Sequence, residues 1–396
     1  MTIDTVPDRG KRLFAVVMIL LAGILTGAQL GKIAPLIPWY RDTLGFSLVS
    51  IGWLASILGV FIAACALPAG WGVARLGLLR SIILGSATLA VGGFILAYVT
   101  NPTVIFGARL IEAVGYLALC IALPSALNAI SPPSWKGPVL AIWSGFVPVG
   151  FAVADLLAGG MAPHFAPQTF LVTLMVLFCI FMTGAVMLLR DLLADSTHVV
   201  GQAGSVRGTI ALPIVLLAIS FGAYVVLTVG LFNFLPVFIA GEGAHFLLPA
   251  GAITLAVPIG NILASILVRG KTPSFIAKLT IAGFVIGIIA IVPALHLKGA
   301  MLATSLALIA VVAGAVVSSA QFAAVPYLVP EKGSVPVAFG LISQFGGTGT
   351  MFGPPIAAAV IEAYGWTAFS WFLAGFGVLG AACMVPLIAR RASPRP

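Results

Sequence analysis

The sequence predicts an all-α integral membrane protein: twelve transmembrane helices in two pseudo-symmetric six-helix bundles. Three observations predict it. Of 396 residues, 61% are hydrophobic and 7% charged, with a mean hydropathy of +1.20. Apolar runs of spanning length recur along the whole chain, and one long polar interruption divides them six and six. Soluble globular proteins carry roughly 25% charged residues, so a water-soluble fold is excluded.

A span of the hydrocarbon layer takes about 20 helical residues. Bounded by charge, Pro or Gly clusters, the first six runs are Leu13 to Ile37, Ser47 to Pro68, Leu79 to Val99, Thr103 to Leu127, Gly137 to Met161 and Thr169 to Leu189. The second six are Thr209 to Phe238, His245 to Val268, Ser274 to Ala294, Ala300 to Ala324, Val335 to Ile361 and Trp366 to Ile388. Lipid admits only helices or closed barrels, and the alternation of barrel strands is missing, so each run is read as a helix. The segment before Leu13 is polar, and the run after it is too long for a signal-peptide core.

The interruption from Arg190 to Gly208 carries Asp191, Asp195, His198, Gln202 and Arg207. It makes 1–189 the N-terminal bundle, 190–208 a cytoplasmic linker and 209–396 the C-terminal bundle. With the N-terminus inside, Arg9, Lys11, Arg12, Arg75, Arg80, Lys136, Arg190, Arg207, Arg269, Lys271, Lys278, Lys332, Arg390, Arg391 and Arg395 face the cytoplasm, against Arg41 and Lys298 outside. That asymmetry places both termini in the cytoplasm, in a bacterial-type inner membrane. It also explains the net charge of +9 as a topology signal, so the bilayer is the partner and nucleic acid is not.

The stretch Gly70-Trp71-Gly72-Val73-Ala74-Arg75-Leu76-Gly77-Leu78-Leu79-Arg80 resembles the loop signature G-x-x-x-D-R-x-G-R-R of the major facilitator superfamily, with Ala74 at the acidic position and Leu78 at a basic one. Arg109 to Gly115 resembles its R-x-x-x-G-x-G segment. Gly145 to Gly150 is only loosely similar to the motif of proton-driven drug antiporters. The R-x-x-E-x-x-G-Y stretch followed by Leu123-Pro124-Ser125 looks most like the cyanate and nitroimidazole transporter branch. The resemblance implies solute transport by rocking two halves around a midplane site, with spans one, four, seven and ten lining the cavity. It makes Gly70, Arg75, Gly77 and Arg80 a gating loop between spans two and three.

Ionisable side chains inside spans cost about 2.5 to 3.5 kcal/mol each on insertion scales and mark functional sites. Those well inside are Lys32, Arg109, Glu112 and Asp155. At about 1.5 Å per residue, Lys32, Arg109 and Asp155 lie about 8 to 9 Å from their outer helix ends and Glu112 one turn deeper, which predicts a common layer. Arg109 and Glu112 share a helix face that takes in Ile105 and Tyr116, and Gln29 and Lys32 are likewise three apart. Gln29, Lys32, Arg109 and Tyr116, with Tyr224 and Gln321 from the neutral second half, are the expected ligands of a small polar or anionic substrate. Glu112 and Asp155 are the candidates for carrying protons. Fixed ion pairs that only hold helices together are the competing reading.

Other patterns carry less. Trp39, Tyr40 and Trp366 read as interface anchors. Gly346, Gly347, Gly349 and Gly353 read as close helix packing rather than a phosphate loop, since no strand precedes them. Cys65, Cys120, Cys179 and Cys383 and the four histidines have no ligand or nucleophile spacing, so no metal, cofactor or enzyme activity is expected. The alternatives are an efflux pump for amphiphilic or cationic compounds and, more distantly, a polytopic membrane enzyme.

Overall fold

Described here from a computed structural model, the protein is placed over residues 6–161, 164–194 and 206–389, and among these no strand occurs. Arg390, Arg391, Arg395 and the linker residues Asp195, His198 and Gln202 lie outside the described residues.

Helix α1 (Val6–Gly31) ends before Pro35, which lacks the N–H that would extend it. A 3-10 turn (Ala34–Leu36) and a wider turn (Trp39–Thr43) carry the chain on to α2 (Leu48–Leu76), which Ser47 caps by accepting from the Ser50 amide. There follow α3 (Leu78–Tyr98), α4 (Pro102–Ile130), α5 (Pro133–Trp143), α6 (Phe146–Met161) and α7 (Pro167–Ala194). After the short α8 (Val206–Thr209) come α9 (Leu212–Ala240), α10 (Ala250–Thr254), α11 (Val257–Val268), α12 (Pro273–Ala294), α13 (Ala300–Leu328) and α14 (Val335–Ile388).

Ten of the resulting stretches are long and apolar enough to span a membrane; α5 and α6, bent by 47°, form one further span. The 54-residue α14 divides at Gly365, whose φ of 75° and ψ of −175° no helix accommodates, so it supplies spans eleven and twelve. Twelve spans are thus present among the described residues.

Four sequence expectations are corrected. The expected loop Gly70 to Arg80 is almost wholly helical: Gly70 and Arg75 sit on α2, Arg80 on the first turn of α3, and the connection is Gly77 alone, with φ 85°. Glycine permits that reversal without a longer loop. Gly70 instead lets α2 meet α14, since a Cβ there would lie 2.7 Å from the Pro336 carbonyl. Lys32 stands just beyond the end of α1, where the helix dipole favours a cation. Span five is broken at Ser144 and Gly145. Span eight starts at Ala250, and His245 precedes it in a turn.

Small residues set the helix crossings, as expected where lipid supplies no hydrophobic drive between helices. Helix α3 packs on α4 and α7, α1 on α6 and α7, α9 on α14, and α12 on α13 and α14. A Cβ on Gly115 would lie 2.4 Å from the Gly85 carbonyl, and one on Gly347 2.6 Å from the Ala63 nitrogen. The span-eleven glycines are packing residues, as their pattern suggested.

Candidate functional site

Four of the expected residues form one buried network. Lys32 is 1% exposed, and Gln29, Arg109 and Glu112 are 0% exposed. The two oxygens of Glu112 are held by different cations: Oε1 accepts from Lys32 Nζ, and Oε2 accepts from Arg109 Nη1 at 2.7 Å. Lys32 Nζ also donates to Gln29 Oε1 at 2.9 Å.

The guanidinium is fixed by backbone as well as by the carboxylate. Arg109 Nη1 donates to the Gln29 carbonyl at 3.0 Å, and Nε donates to the Leu54 carbonyl at 3.1 Å. One side chain therefore ties α4 to α1 and α2. Glu112 lies against α3, where Gly92 and Gly93 leave its room: a Cβ on Gly92 would meet Glu112 Cγ at 2.7 Å, and one on Gly93 would meet Oε1 at 3.1 Å. The network is thus enclosed by α1 to α4, and Tyr116 extends the same α4 face at 1% exposure.

Asp155 does not join this network. It is exposed on α6, so of the four charges expected to work together three are enclosed in the network and Asp155 stands apart. Tyr224 lies in the second half of the chain beside Phe221, with ring centroids 5.8 Å apart. It lines a small apolar cavity with Leu227, Leu231, Ala310 and Gly314. Gln321 is buried and donates to Ser220 Oγ at 2.7 Å, while Ser220 donates to the Gly380 carbonyl at 2.8 Å. That chain bridges α13, α9 and α14.

Two groups escaped sequence reasoning. Tyr40, read as an interface anchor, is 0% exposed, because its ring packs edge-on against Trp39 and Phe46. Ser319 shares its one hydroxyl proton between the Ala141 carbonyl at 2.9 Å and Asn261 Oδ1 at 3.0 Å, and it lies 2.9 Å from Ser144 Oγ, which itself donates to the Ala141 carbonyl at 2.8 Å. The Ala141 carbonyl at the α5–α6 break is thereby satisfied both locally by Ser144 and from α13 by Ser319. The glycine pair Gly92-Gly93 in mid-span was the one available signal for the seat of Glu112.

Fold and network together define a polytopic helical membrane protein with an enclosed charge cluster in its first half. Residues 19–348 match the family model of the Major Facilitator Superfamily, and the chain belongs to that superfamily. The proton:xylose symporter XylE has a similar structure, with a TM-score of 0.75 at 14% identity over 96% of both chains. The human organic anion transporter MFSD10 gives 0.69 at 16% identity, covering 96% of this chain and 99% of that one. In sequence, the galactose-proton symporter of Escherichia coli (strain K12) is 23% identical over 149 residues, 38% of this chain and 32% of the symporter. The multidrug transporter mfsC of Aspergillus fumigatus is 27% identical over 135 residues, 34% of this chain and 26% of the transporter. The matched stretches therefore span well under half of those relatives.

Proposed function

We propose that the protein is a secondary active transporter, coupled to protons, that moves a small polar or anionic organic solute across a bacterial inner membrane. The halves 1–189 and 209–396, joined by the linker 190–208, rock around a central site, with both termini cytoplasmic.

The observation that carries this reading is the buried carboxylate of Glu112 held between Lys32 and Arg109. Burial disfavours an ionised carboxylate and adjacent cations favour it. A negatively charged solute that draws either cation away leaves Glu112 less compensated, so it takes up a proton. Departure of the solute restores the pair and releases the proton. Binding and protonation are thereby linked without any further group. Superfamily membership and the sugar-proton symporters among the relatives support the same direction.

The test has two stages. A thermal-shift screen of purified protein against small organic anions, cations and zwitterions identifies a stabilising solute, because a ligand stabilises the state it binds. That compound is then used in proteoliposomes. Glu112→Gln is expected to abolish accumulation driven by a pH gradient while sparing exchange at equal pH. Undiminished pH-driven accumulation by folded Glu112→Gln protein removes Glu112 from the coupling and leaves Asp155 as the acid to test.

The matches to multidrug transporters favour a second reading, efflux of amphiphilic or cationic compounds. The same screen separates the two. Stabilisation by amphiphilic cations and by no anion selects efflux.

A further inference from the structure

The charge cluster does not balance. Lys32 and Arg109 bring two positive charges and Glu112 one negative, and Glu112 is the sole carboxylate among the described residues that is buried. An excess buried charge is costly unless something of opposite sign meets it.

Two buried donors mark where that partner belongs. Arg109 Nη2 and the Tyr40 hydroxyl find no acceptor in the protein, although both side chains are 0% exposed. Buried polar groups are almost always hydrogen-bonded; of the few without a partner, which also include Ser81 Oγ, Trp143 Nε1 and His245 Nε2, these two donors belong with the surplus charge.

Their positions are related through the aromatic side chains above the cluster. The Tyr40 ring packs edge-on against Phe46 at 5.7 Å, and Phe46 stacks on Phe106 at 6.3 Å. Phe106 stands on α4 three residues before Arg109, one turn nearer the end of the helix that bears Asn101. Tyr40 therefore lies toward that end of α4, near enough for the charges of Arg109 and Glu112 to act on its hydroxyl.

Building on the anionic-solute reading above, we propose that a single small monovalent anion binds beside these aromatic side chains, accepting hydrogen bonds from Arg109 Nη2 and the Tyr40 hydroxyl. With Glu112 ionised and both cations in place, one negative charge neutralises the cluster and a second would overcompensate it. A site inside the packed bundle, where Arg109 and Tyr40 are both 0% exposed, admits only a small anion. A halide or nitrate and the carboxylate of a small organic solute share the required chemistry.

The experiment uses purified full-length protein in detergent, at constant ionic strength set by the sodium salt of a large organic sulfonate. Chloride, nitrate, formate or acetate replaces the sulfonate stepwise, and thermal unfolding is followed. A saturable rise in Tm with at least one of the four is expected. Tyr40→Phe should weaken the apparent affinity by about fivefold or more, since it deletes one donor to a charged acceptor. Its Tm in sulfonate alone should stay near that of the wild type, because the hydroxyl has no protein partner to lose.

Saturation by chloride or nitrate alone identifies an inorganic anion; saturation by formate or acetate identifies a carboxylate-bearing solute. Two outcomes overturn the proposal: no saturable stabilisation by any of the four, in which case the cluster sheds its excess charge by losing a proton from Lys32, or wild-type affinity in Tyr40→Phe. The measurement involves no gradient and no flux, so its failure leaves the Glu112→Gln transport result standing, and failure of coupled transport leaves anion binding intact.

Discussion

Gly92 and Gly93 are adjacent in sequence but do different things for Glu112. A Cβ on Gly92 would lie 2.7 Å from the Ala108 carbonyl and 2.8 Å from the Glu112 nitrogen, so α3 would have to move off α4. A Cβ on Gly93 would mainly meet the terminal methyl of Met175, which a flexible side chain can withdraw. Gly92→Ala should therefore destabilise by about 1 to 3 kcal/mol, the usual cost of overpacking, and Gly93→Ala by clearly less. Equal losses in thermal unfolding of the two variants would show that the α3–α4 contact is softer than the geometry requires. At this scale the charged members of the site were legible, because Lys, Arg and Glu inside apolar runs are costly enough to stand out. Tyr40 was not. A tyrosine at the end of an apolar run is normally an interface anchor, and only the packing of Phe46 over it places it inside. The paired role of Gly92 and Gly93 was equally hidden, since a glycine pair does not say which side chain it accommodates.

Span lengths were legible because the bilayer imposes them; span breaks were not, because tertiary partners decide them. The break between α5 and α6 at Ser144 and Gly145 shows the difference. Pro138 and Pro148 flank it, yet both lie within helix, and the chain bends where Ser144 and a partner from α13 share the freed Ala141 carbonyl. Ser319 reaches the Ala141 carbonyl, and the Asn261 amide sits so close to Gly145 that a Cβ there would be 1.9 Å away. Ser319→Ala removes a donor from Asn261 Oδ1 while the Ala141 carbonyl keeps Ser144 Oγ at 2.8 Å, so it should cost about 1 kcal/mol. Thermal unfolding of the variant checks this, with Ser86→Ala as the comparison, because Ser86 is half-buried and bonds only within its own helix at 3.0 Å. A Ser319→Ala protein as stable as Ser86→Ala would mean that the break needs no support from α13. The tight α2–α3 connection was misread for a related reason. The glycines and arginines of Gly70 to Arg80 look like a polar loop, but Trp71, Val73 and Leu76 keep the segment helical, and Arg75 folds back over the Trp71 ring at 3.9 Å.

Over the whole molecule, the packing gathers many of the basic residues at one end of the bundle. Helix α2 lies along the first part of α14, while α5 contacts α11 and α13. These contacts bring Arg75, Lys136, Lys271 and Lys332 toward one end of the bundle and leave Arg41 and Asp42 at the other. Such a distribution orients a polytopic protein with its basic end in the cytoplasm. An expected orientation was readable from sequence because Lys and Arg counts need no tertiary information, whereas the conformational state of the bundle depends on contacts between distant spans. The orientation yields a two-sided expectation. Asp42, with a side chain 72% exposed, and Lys271, in the turn after α11, are each replaced by cysteine in otherwise unaltered protein. In intact cells a membrane-impermeant maleimide should label Asp42→Cys and spare Lys271→Cys until the membrane is permeabilised. The four native cysteines lie within helical spans, so the wild-type protein supplies the background. Labelling of Lys271→Cys from outside, with Asp42→Cys protected, would invert the molecule in the membrane. It would also put the anion site beneath Tyr40 on the cytoplasmic side and reverse the direction in which solute and proton reach Glu112.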